Sequence, residues 1–449
     1  MKRTVLIIGG GLAGITTALR LSARGYRVTI VEQSHTWGGR VTAGSPAQID
    51  PLPVVLLGCH HATQALLHTL GTAARVNWTS KLSFEFVTPW RAAARLCRPL
   101  VPAPWSALLG LTGFRALSLR DRWAFLTWVE RTWERDPALP ADLDNHTAEA
   151  WLRGIGQSEQ ARIQAWTPLS RFLLGDDLKN VSAALFLGML IRCFTSSRRH
   201  SMLAVPNDSL ERLITAPAIH ALEHAGATMQ LNTPVDHIYL NAQGVTGVRL
   251  HDGSTLAADW YVAAVSQQAL SPLLPERAVT RFSYFQQLPM LADGAAIAAH
   301  LWMNRPLSGP RVLLLANRPY HWVILRSDPK DNQRMLASLI ATGQIGRLDQ
   351  SDKEVLDLAI TDLTMACPDL RRVSLSHHEI VRVARAFLCV RPRTTALRPL
   401  QQSPFPNFFL AGGWTDTGLP ATLESTILSG DLCARAICAK SAVHPHSGP

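Results

Sequence analysis

Three glycines, Gly9, Gly11 and Gly14, are spaced as GxGxxG between the apolar run 5–8 and a helix-like stretch that stops at Gly25. That spacing suits a pyrophosphate: the first glycine permits a tight turn, the second lets the backbone approach phosphate, and the third allows close helix–strand packing. Leu12 and Ala13 stand at the helix start, whose free N–H groups face the negative charge. Glu32 ends a second strand, YRVTIVEQ, about twenty residues on, where a carboxylate can bind ribose hydroxyls and disfavours a 2′-phosphate. NAD and FAD share this pattern.

Trp37-Gly38-Gly39-Arg40 follows the second strand. The glycine pair lets the main chain lie near a flat ligand, and the Arg40 guanidinium can pair with its phosphates or carbonyls. A similar arrangement returns at the far end: NFFLAGGWTDTGLPATLESTILSG, 407–430, reads as a strand, a turn at Gly412-Gly413, and a helix closed by Gly430. That helix is expected to begin near Ala421, followed by Thr422 and Leu423.

Together these residues resemble the flavin-containing amine oxidase and phytoene desaturase superfamily, whose members pair the dinucleotide loop with a glycine doublet. The resemblance implies FAD. It also implies an α/β fold, a Rossmann-like FAD-binding domain of the GR2 type with an inserted α+β substrate domain. The C-terminal helix would return to cover the flavin and aim its N-terminus at the electron-rich end of the isoalloxazine. Val235, in LNTPVDHI, would lie against the adenine. The corresponding division is 1–60 with 203–275 and 385–440 for the cofactor, 61–202 with 276–384 for the substrate, and a disordered tail over 441–449.

A narrower resemblance rests on IDPLPVVLLGCHHAT, LVPAPWSALLGL, DRWAF, AWTPLS, VPNDSLERLITAPAIHALEHAGA and AGGWTDTGLPATLES, which run in order over nearly the whole chain. They are similar to the hydroxysqualene dehydroxylases, flavoproteins associated with bacterial squalene and hopanoid synthesis. This implies a long-chain isoprenoid substrate, reductive dehydroxylation of hydroxysqualene to squalene, and association with squalene or prenyl synthases. Loss of the allylic hydroxyl would leave a delocalised cation that takes hydride in a site closed to water. Two departures stand out. Gly413 replaces a carboxylate of the branch, and Asp50-Pro51-Leu52-Pro53-Val54 replaces its DNGQH. Either Asp416 or a water supplies the lost carboxylate, or the chain is an impaired, non-catalytic flavoprotein partner of a prenyl synthase. Carotenoid desaturation, with hydride moving the other way, is the alternative within the fold. Amine oxidation ranks third, because nothing in the sequence resembles an aromatic cage. The catalytic acid is unassigned; Asp50 and His60 are its candidates, flanking the altered segment.

With 449 residues the chain needs two or three domains. Net charge is +11, which favours anionic partners, yet no helix-turn-helix or zinc signature accompanies it and nucleic acid is not expected. Seven cysteines without a CxxC pair read as free thiols in a reducing compartment, hence cytoplasmic. The first apolar run is shorter than the ~7–15 residues of a signal peptide. The apolar run 181–191 falls short of the ~18–20 residues that span a bilayer, so any membrane contact, on the inner face of the cell membrane, would be peripheral. Trp90, Trp105, Trp123, Trp128 and Trp133 alternate with arginines through 90–135. They read either as an interfacial helical region facing a membrane or as a tryptophan-rich core beneath a basic face. His60-His61 and His377-His378 lack a third ligand at any recognisable spacing, so no metal is expected.

Between the motifs, 55–71 reads as helix and 76–138 as mixed, then helical and irregular. In 203–265 a helix and a strand precede a hairpin of GVTGVRL with DGSTLAADWYVAAV, turning at Asp252-Gly253. Strands and helices alternate over 295–368. The apolar run 183–190 either lines a substrate tunnel or is an ordinary buried helix.

Overall fold

The computed structural model describes residues 3–41, 49–79, 83–88, 91–97, 110, 113–133, 142–194, 199–307, 309–343 and 348–443. Its strands are β1 (Thr4–Ile8), β2 (Arg27–Val31), β3 (Leu56–Leu57), β4 (Ser83–Thr88), β5 (Arg91–Cys97), β6 (Leu203–Ala204), β7 (Thr228–Gln230), β8 (Val235–Asn241), β9 (Gly244–Leu250), β10 (Thr255–Leu256), β11 (Trp260–Ala263), β12 (Asp293–Met303), β13 (Arg311–Leu315), β14 (Trp322–Asp328), β15 (Asp331–Thr342), β16 (Leu375–Leu388) and β17 (Phe408–Leu410). The helices of eight or more residues are α1 (Leu12–Ser22), α2 (His61–Thr69), α3 (Leu119–Trp133), α4 (Thr167–Leu174), α5 (Ala183–Phe194), α6 (Ala216–His224), α7 (Asp352–Ala366) and α8 (Leu423–Val443).

Five strands form a wholly parallel sheet in the order β17-β11-β1-β2-β7. β1 is apolar at successive positions because both its faces are covered, as parallel sheets require. Val5 and Ile7 pack with Ala13, Ile15 and Ala18 of α1 and with Cys433, Ala434 and Ile437 of α8, whereas Leu6 and Ile8 pack with Tyr261, Phe408 and Leu410 on the other side. A second sheet of seven strands runs β16-β12-β15-β14-β13-β4-β5 and is antiparallel except between β13 and β4. α7, held by a capping box between Ser351 and Glu354, covers one of its faces through Val355, Ala359 and Leu363. Phe86, Ala298, Trp322 and Ile340 on the other face join a core with α4 and α5.

The differences from the sequence expectations have physical causes. Residues 83–88 and 91–97 form β4 and β5, although the stretch reads as mixed and irregular in sequence, because β4 is held on its other side by β13, which is distant in the chain. Strands β12 to β15 follow one another with no intervening helix of that length, and α7 comes only afterwards; their buried apolar runs do not distinguish strand from helix. In the hairpin, β10 pairs with β9, but Trp260–Ala263 leaves it to join the parallel sheet beside β1. The helix expected over 55–71 begins at His61, since Leu56 and Leu57 pair with β6 and Glu424 caps the helix from elsewhere, accepting the N–H groups of Ala62 and Thr63 at 2.7 and 2.9 Å. β16 continues through 385, the position where the third cofactor segment was expected to begin. Of the tail, 441–443 belong to α8 and 444–449 lie outside the described residues.

Gly430 does not close a helix. It lies inside α8 where that helix crosses α1, and a Cβ there would sit 2.6 Å from Ala13 O and 2.8 Å from Thr16 Cβ. Thr17 Oγ1 donates to Gly430 O at 3.2 Å, and Arg20 pairs with Asp431 beside the crossing. Gly188, inside α5, has nothing within 4 Å of the same position. Two helical glycines therefore predict opposite outcomes in denaturant unfolding. Gly430→Val should cost about 1–3 kcal/mol by forcing the helices apart, while Gly188→Ala should be neutral or stabilise by up to about 1 kcal/mol.

Candidate active site

A cavity of about 840 Å³ lies between the parallel sheet, the seven-stranded sheet and the helices α4 and α5. Its polar end is made by the two ends of the chain. Gly9, in a left-handed turn with φ 105°, donates to Val31 O at 2.8 Å, and a Cβ on it would meet Ala264 O at 2.7 Å. Gly14 lies behind this surface instead of lining it: a Cβ there would be 2.1 Å from Gly9 O, so its lack of a side chain sets the packing of α1 on β1. Gly11 caps α1 at φ −73°, and a Cβ on it would meet no atom within 4 Å. The space in front of Gly11 is therefore open, a cradle that any side chain would begin to fill.

The glycine doublet lies directly against this loop. Gly38 N–H donates to Gly10 O at 2.8 Å, and a Cβ on Gly39 would come within 3.3 Å of Gly11 Cα. Glu32 is buried at the cavity edge, where its two oxygens accept the N–H groups of Gly10 at 2.7 Å and Ser34 at 2.9 Å. Arg40 reaches Ala386 O at 3.3 Å. Arg40 is exposed, yet the protein around it lowers its pKa by desolvation, with Asp293 opposing. Val235 lines the same end, as do Leu12 and Ala13.

From the other terminus come Gly412, Gly413, Ala421, Thr422 and Leu423, all on the cavity wall. α8 starts at Leu423 rather than near Ala421, because Thr422 acts as its cap, its hydroxyl accepting the Ser425 N–H at 3.4 Å. Gly413 is closely packed: a Cβ would meet Thr426 Oγ1 at 2.6 Å. Asp416 does not stand in for a carboxylate here, since it turns to its own loop, accepts Gly418 N–H at 2.9 Å and lies outside the lining. Arg398, buried, holds the whole turn by donating to the carbonyls of Gly413, Trp414, Thr415 and Leu419 and to Ser425 Oγ.

The other end of the cavity is apolar. Leu52, Pro53, Val54 and Val55 form one wall, and Phe172, Met189, Trp322 and Ile340 form others. Of the run 183–190 only Met189 reaches the cavity; its neighbours pack in the core, which decides for the buried helix. His60 faces the cavity and its Nδ1 accepts Leu57 N–H at 3.3 Å; burial pushes its pKa down to about 4, so it is neutral at pH 7. Asp50 does not line the cavity. Its carboxylate accepts the Leu210 N–H at 2.8 Å, and burial raises its pKa to about 6. Beneath the same loop His300 Nε2 meets Pro51 O at 3.3 Å, and burial pushes His300 down to about 4. No cluster of three metal-ligating side chains occurs among the described residues.

Several lining residues carry no mark that spacing alone would reveal. Phe387, at the end of β16, rests on two glycines, for a Cβ on Gly294 would come within 2.4 Å of its ring and one on Gly175 within 2.8 Å. Trp414 lies across Gly412 and donates to Val265 O at 2.9 Å; its place in GWTDTGLPAT is the one signal that could have drawn attention to it. Of the tryptophan-rich segment, Trp90, Trp105, Arg98 and Arg135 fall outside the described residues. On α3, Trp128 packs edge-on against Trp151 at 5.0 Å and Phe125 stacks on Trp166 at 5.1 Å, whereas Leu119 and Trp123 are 79% and 73% exposed.

Gly11→Ala isolates the cradle from the fold. The variant should unfold at the same denaturant concentration as the parent when free of cofactor, yet lose FAD affinity at least tenfold by fluorescence titration; equal affinity would remove Gly11 from the site. A pH series tests the buried groups. His60 and His300, held below their ordinary value, contribute stability above about pH 6.5 that is lost as pH falls through 4; Asp50, held above its ordinary value, contributes stability below about pH 4 that is lost as pH rises through 6. Between pH 4 and 6 unfolding thus takes up two protons at histidine and releases one at Asp50. Unfolding free energy should fall by about 1.4 kcal/mol per pH unit on acidification, and His300→Gln should flatten that slope.

Residues 12–438 match the family profile described as flavin containing amine oxidoreductase. The chain is 26% identical over 464 residues to the 15-cis-phytoene desaturase of Synechococcus elongatus, covering 97% of this chain and 96% of that one. It is 27% identical over 460 residues to the chloroplastic/chromoplastic 15-cis-phytoene desaturase of an Oncidium hybrid cultivar, covering 96% and 77%. Among solved structures, an oxidoreductase from Methanosarcina mazei superposes with a TM-score of 0.72 at 17% identity, covering 95% of this chain and 99% of that one. The cradle at Gly11, the ribose-side carboxylate and the returning C-terminal turn fit the FAD that this family carries. The chain belongs to the flavin-containing amine oxidoreductase family.

Proposed function

We propose that this FAD-dependent oxidoreductase acts on a long-chain isoprenoid, and that its reaction is the reductive dehydroxylation of hydroxysqualene to squalene. The observation that carries the substrate class is the continuity of the cavity from a polar, glycine-lined end into the apolar pocket of Leu52, Val54, Phe172, Met189, Trp322 and Ile340. A hydrocarbon gains about 25 cal/mol for each Å² that such a pocket removes from water. The dehydroxylase reading rests on the motifs spread through the chain, from VLLGC to GWTDTGLPAT.

FAD, when bound, supplies a two-electron hydride carrier. In this reading the backbone at Gly11 and Gly39 and the guanidinium of Arg40 hold the diphosphate, Glu32 the ribose, and Val235 the adenine side. Gly412, Gly413 and the α8 N-terminus meet the ring. Pro51 and Pro53 stiffen the loop beside it, and the Pro51 carbonyl is tied to His300. The apolar walls exclude water, which would otherwise capture a cation left by the departing hydroxyl. His60, as a neutral imidazole, can orient that hydroxyl through a hydrogen bond.

A second reading, desaturation of a polyene hydrocarbon, is supported by the two 15-cis-phytoene desaturases that align over nearly the whole of this chain. Docking on an anionic membrane is supported by Leu119 and Trp123, exposed one turn apart on α3 with Arg115 and Arg120 nearby.

Substrates presented to FAD-loaded protein without oxygen test all three points. Dithionite-reduced protein should convert hydroxysqualene to squalene, seen by mass spectrometry, with return of the oxidised flavin spectrum. Conversion of phytoene by the oxidised protein alone would establish the second reading instead, and inertness toward both would overturn the isoprenoid class. With substrate in anionic vesicles, Trp123→Ser should lower the rate several-fold while leaving detergent-dispersed substrate unaffected; equal rates would remove α3 from docking.

A further inference from the structure

Cys59 and Cys193 are 134 positions apart in the chain, yet their sulfurs lie 3.8 Å apart in the interior. Cys59 directly precedes His60 on the cavity wall, and Cys193 lies one turn beyond Met189 on α5, which lines the same cavity. Packing holds both in place. Gly58 lets the chain at Arg199 approach so closely that a Cβ at 58 would be 1.6 Å from Arg199 O, and Gly58 N–H donates to Met202 O at 2.8 Å. Ser201 Oγ donates to the Cys193 carbonyl. Among the described residues no other two cysteine sulfurs come within hydrogen-bonding distance.

We propose that Cys59 and Cys193 are a redox-modification site, which hydrogen peroxide converts to a disulfide tying the β3–α2 turn to the end of α5 across the cavity wall. The Cys59 thiolate attacks one peroxide oxygen; the O–O bond breaks, hydroxide leaves and Cys59 becomes a sulfenic acid. Cys193 sulfur then attacks Cys59 Sγ; the S–O bond breaks and water departs with the Cys193 proton. The proton first lost by Cys59 neutralises the hydroxide. In total two thiols and one peroxide give one disulfide and two waters, the peroxide taking two electrons.

Cys59 adjoins His60, which lines the cavity, and that position sets the order of events. A hydrogen bond from Cys193 holds Cys59 below the ordinary thiol range, with Arg192 assisting, while the same bond and burial hold Cys193 well above it. Cys59 is thus the nucleophile and Cys193 the resolving thiol. To reach the roughly 2.0 Å of a disulfide, each sulfur moves by about 0.9 Å, within the reach of side-chain rotation. Peroxide entering the cavity reaches His60, the lining residue next to Cys59 in the chain, and has to pass it to meet the buried thiol.

The test uses the full-length, FAD-loaded protein treated with hydrogen peroxide, then alkylated under denaturing conditions and digested. Mass spectrometry should find a peptide joining Cys59 to Cys193 and two fewer alkylated cysteines among the seven, both reversed by dithiothreitol. The oxidised protein should melt at higher temperature, because the bond closes a long loop. In Cys193→Ser and Cys193→Ala the cross-link should vanish and Cys59 should accumulate as a dimedone-reactive sulfenic acid. Complete alkylation of both cysteines after peroxide overturns the proposal, as does a Cys59 sulfenic acid in the unaltered protein that never resolves, or cross-links formed equally by other cysteines.

Discussion

The close crossing of α1 and α8 constrains everything at the polar end of the cavity. At Gly430 the two helices approach until backbone meets backbone, with Ala13 and Thr16 on one side and no side chain on the other. Their starts, at Leu12 and Leu423, consequently open into the same space although the two residues stand at opposite ends of the chain. Each helix N-terminus carries about half a positive charge and unpaired N–H groups. Bringing two of them to one cavity makes a site for a ligand with negative charge at separated places, as a dinucleotide with an electron-rich ring has. The sheet order serves the same end, since β17 reaches β1 through β11 and delivers Gly412 beside the first glycine loop.

Turns that line such a cavity cannot rely on sheet or helix ladders for their polar groups, and here a few buried side chains do that work. Arg398 gathers four carbonyls of the turn 413–419 and a serine hydroxyl, which returns hydrogen bonds for the water its guanidinium gives up. Burial lowers its pKa only to about 10, so it remains a cation at neutral pH. Glu424 does the reverse at the start of α2, its carboxylate accepting two free N–H groups and the Thr63 hydroxyl. One residue from the start of α8 thus caps a helix near the N-terminus, and the two ends of the chain are joined by charge-assisted hydrogen bonds as well as by packing.

The cavity changes character along its length. Glu32 and Arg40 stand where the glycine loops are, while the walls made by Leu52, Val54, Met189, Trp322 and Ile340 are apolar and the His60 imidazole is held neutral by desolvation. Asp50 and His300 lie behind that wall and fix the proline-containing loop from underneath. A carboxyl group expected from its neighbours in sequence to act on a substrate instead supports the backbone that shapes the pocket.

What the sequence determined by itself is the chemistry of short, local patterns. GxGxxG after an apolar run, the doublet at Gly38-Gly39, Glu32 at a strand end and the turn at Gly412-Gly413 each depend on residue types within one turn, so their placement on strand–turn–helix units was legible without the fold. The tertiary structure alone decided which distant segments meet. Asp50 and His60 are ten positions apart, yet only His60 faces the cavity; Trp123 and Trp128 share a helix, yet one is exposed and the other packed on Trp151. Phe387 and the Cys59–Cys193 contact depend on β16 lying beside β12 and on β3 pairing with β6, and Gly430 becomes a crossing point only once α1 lies across it. The reason is that burial and contact are sums over neighbours brought together by long-range pairing, and local spacing holds no record of them.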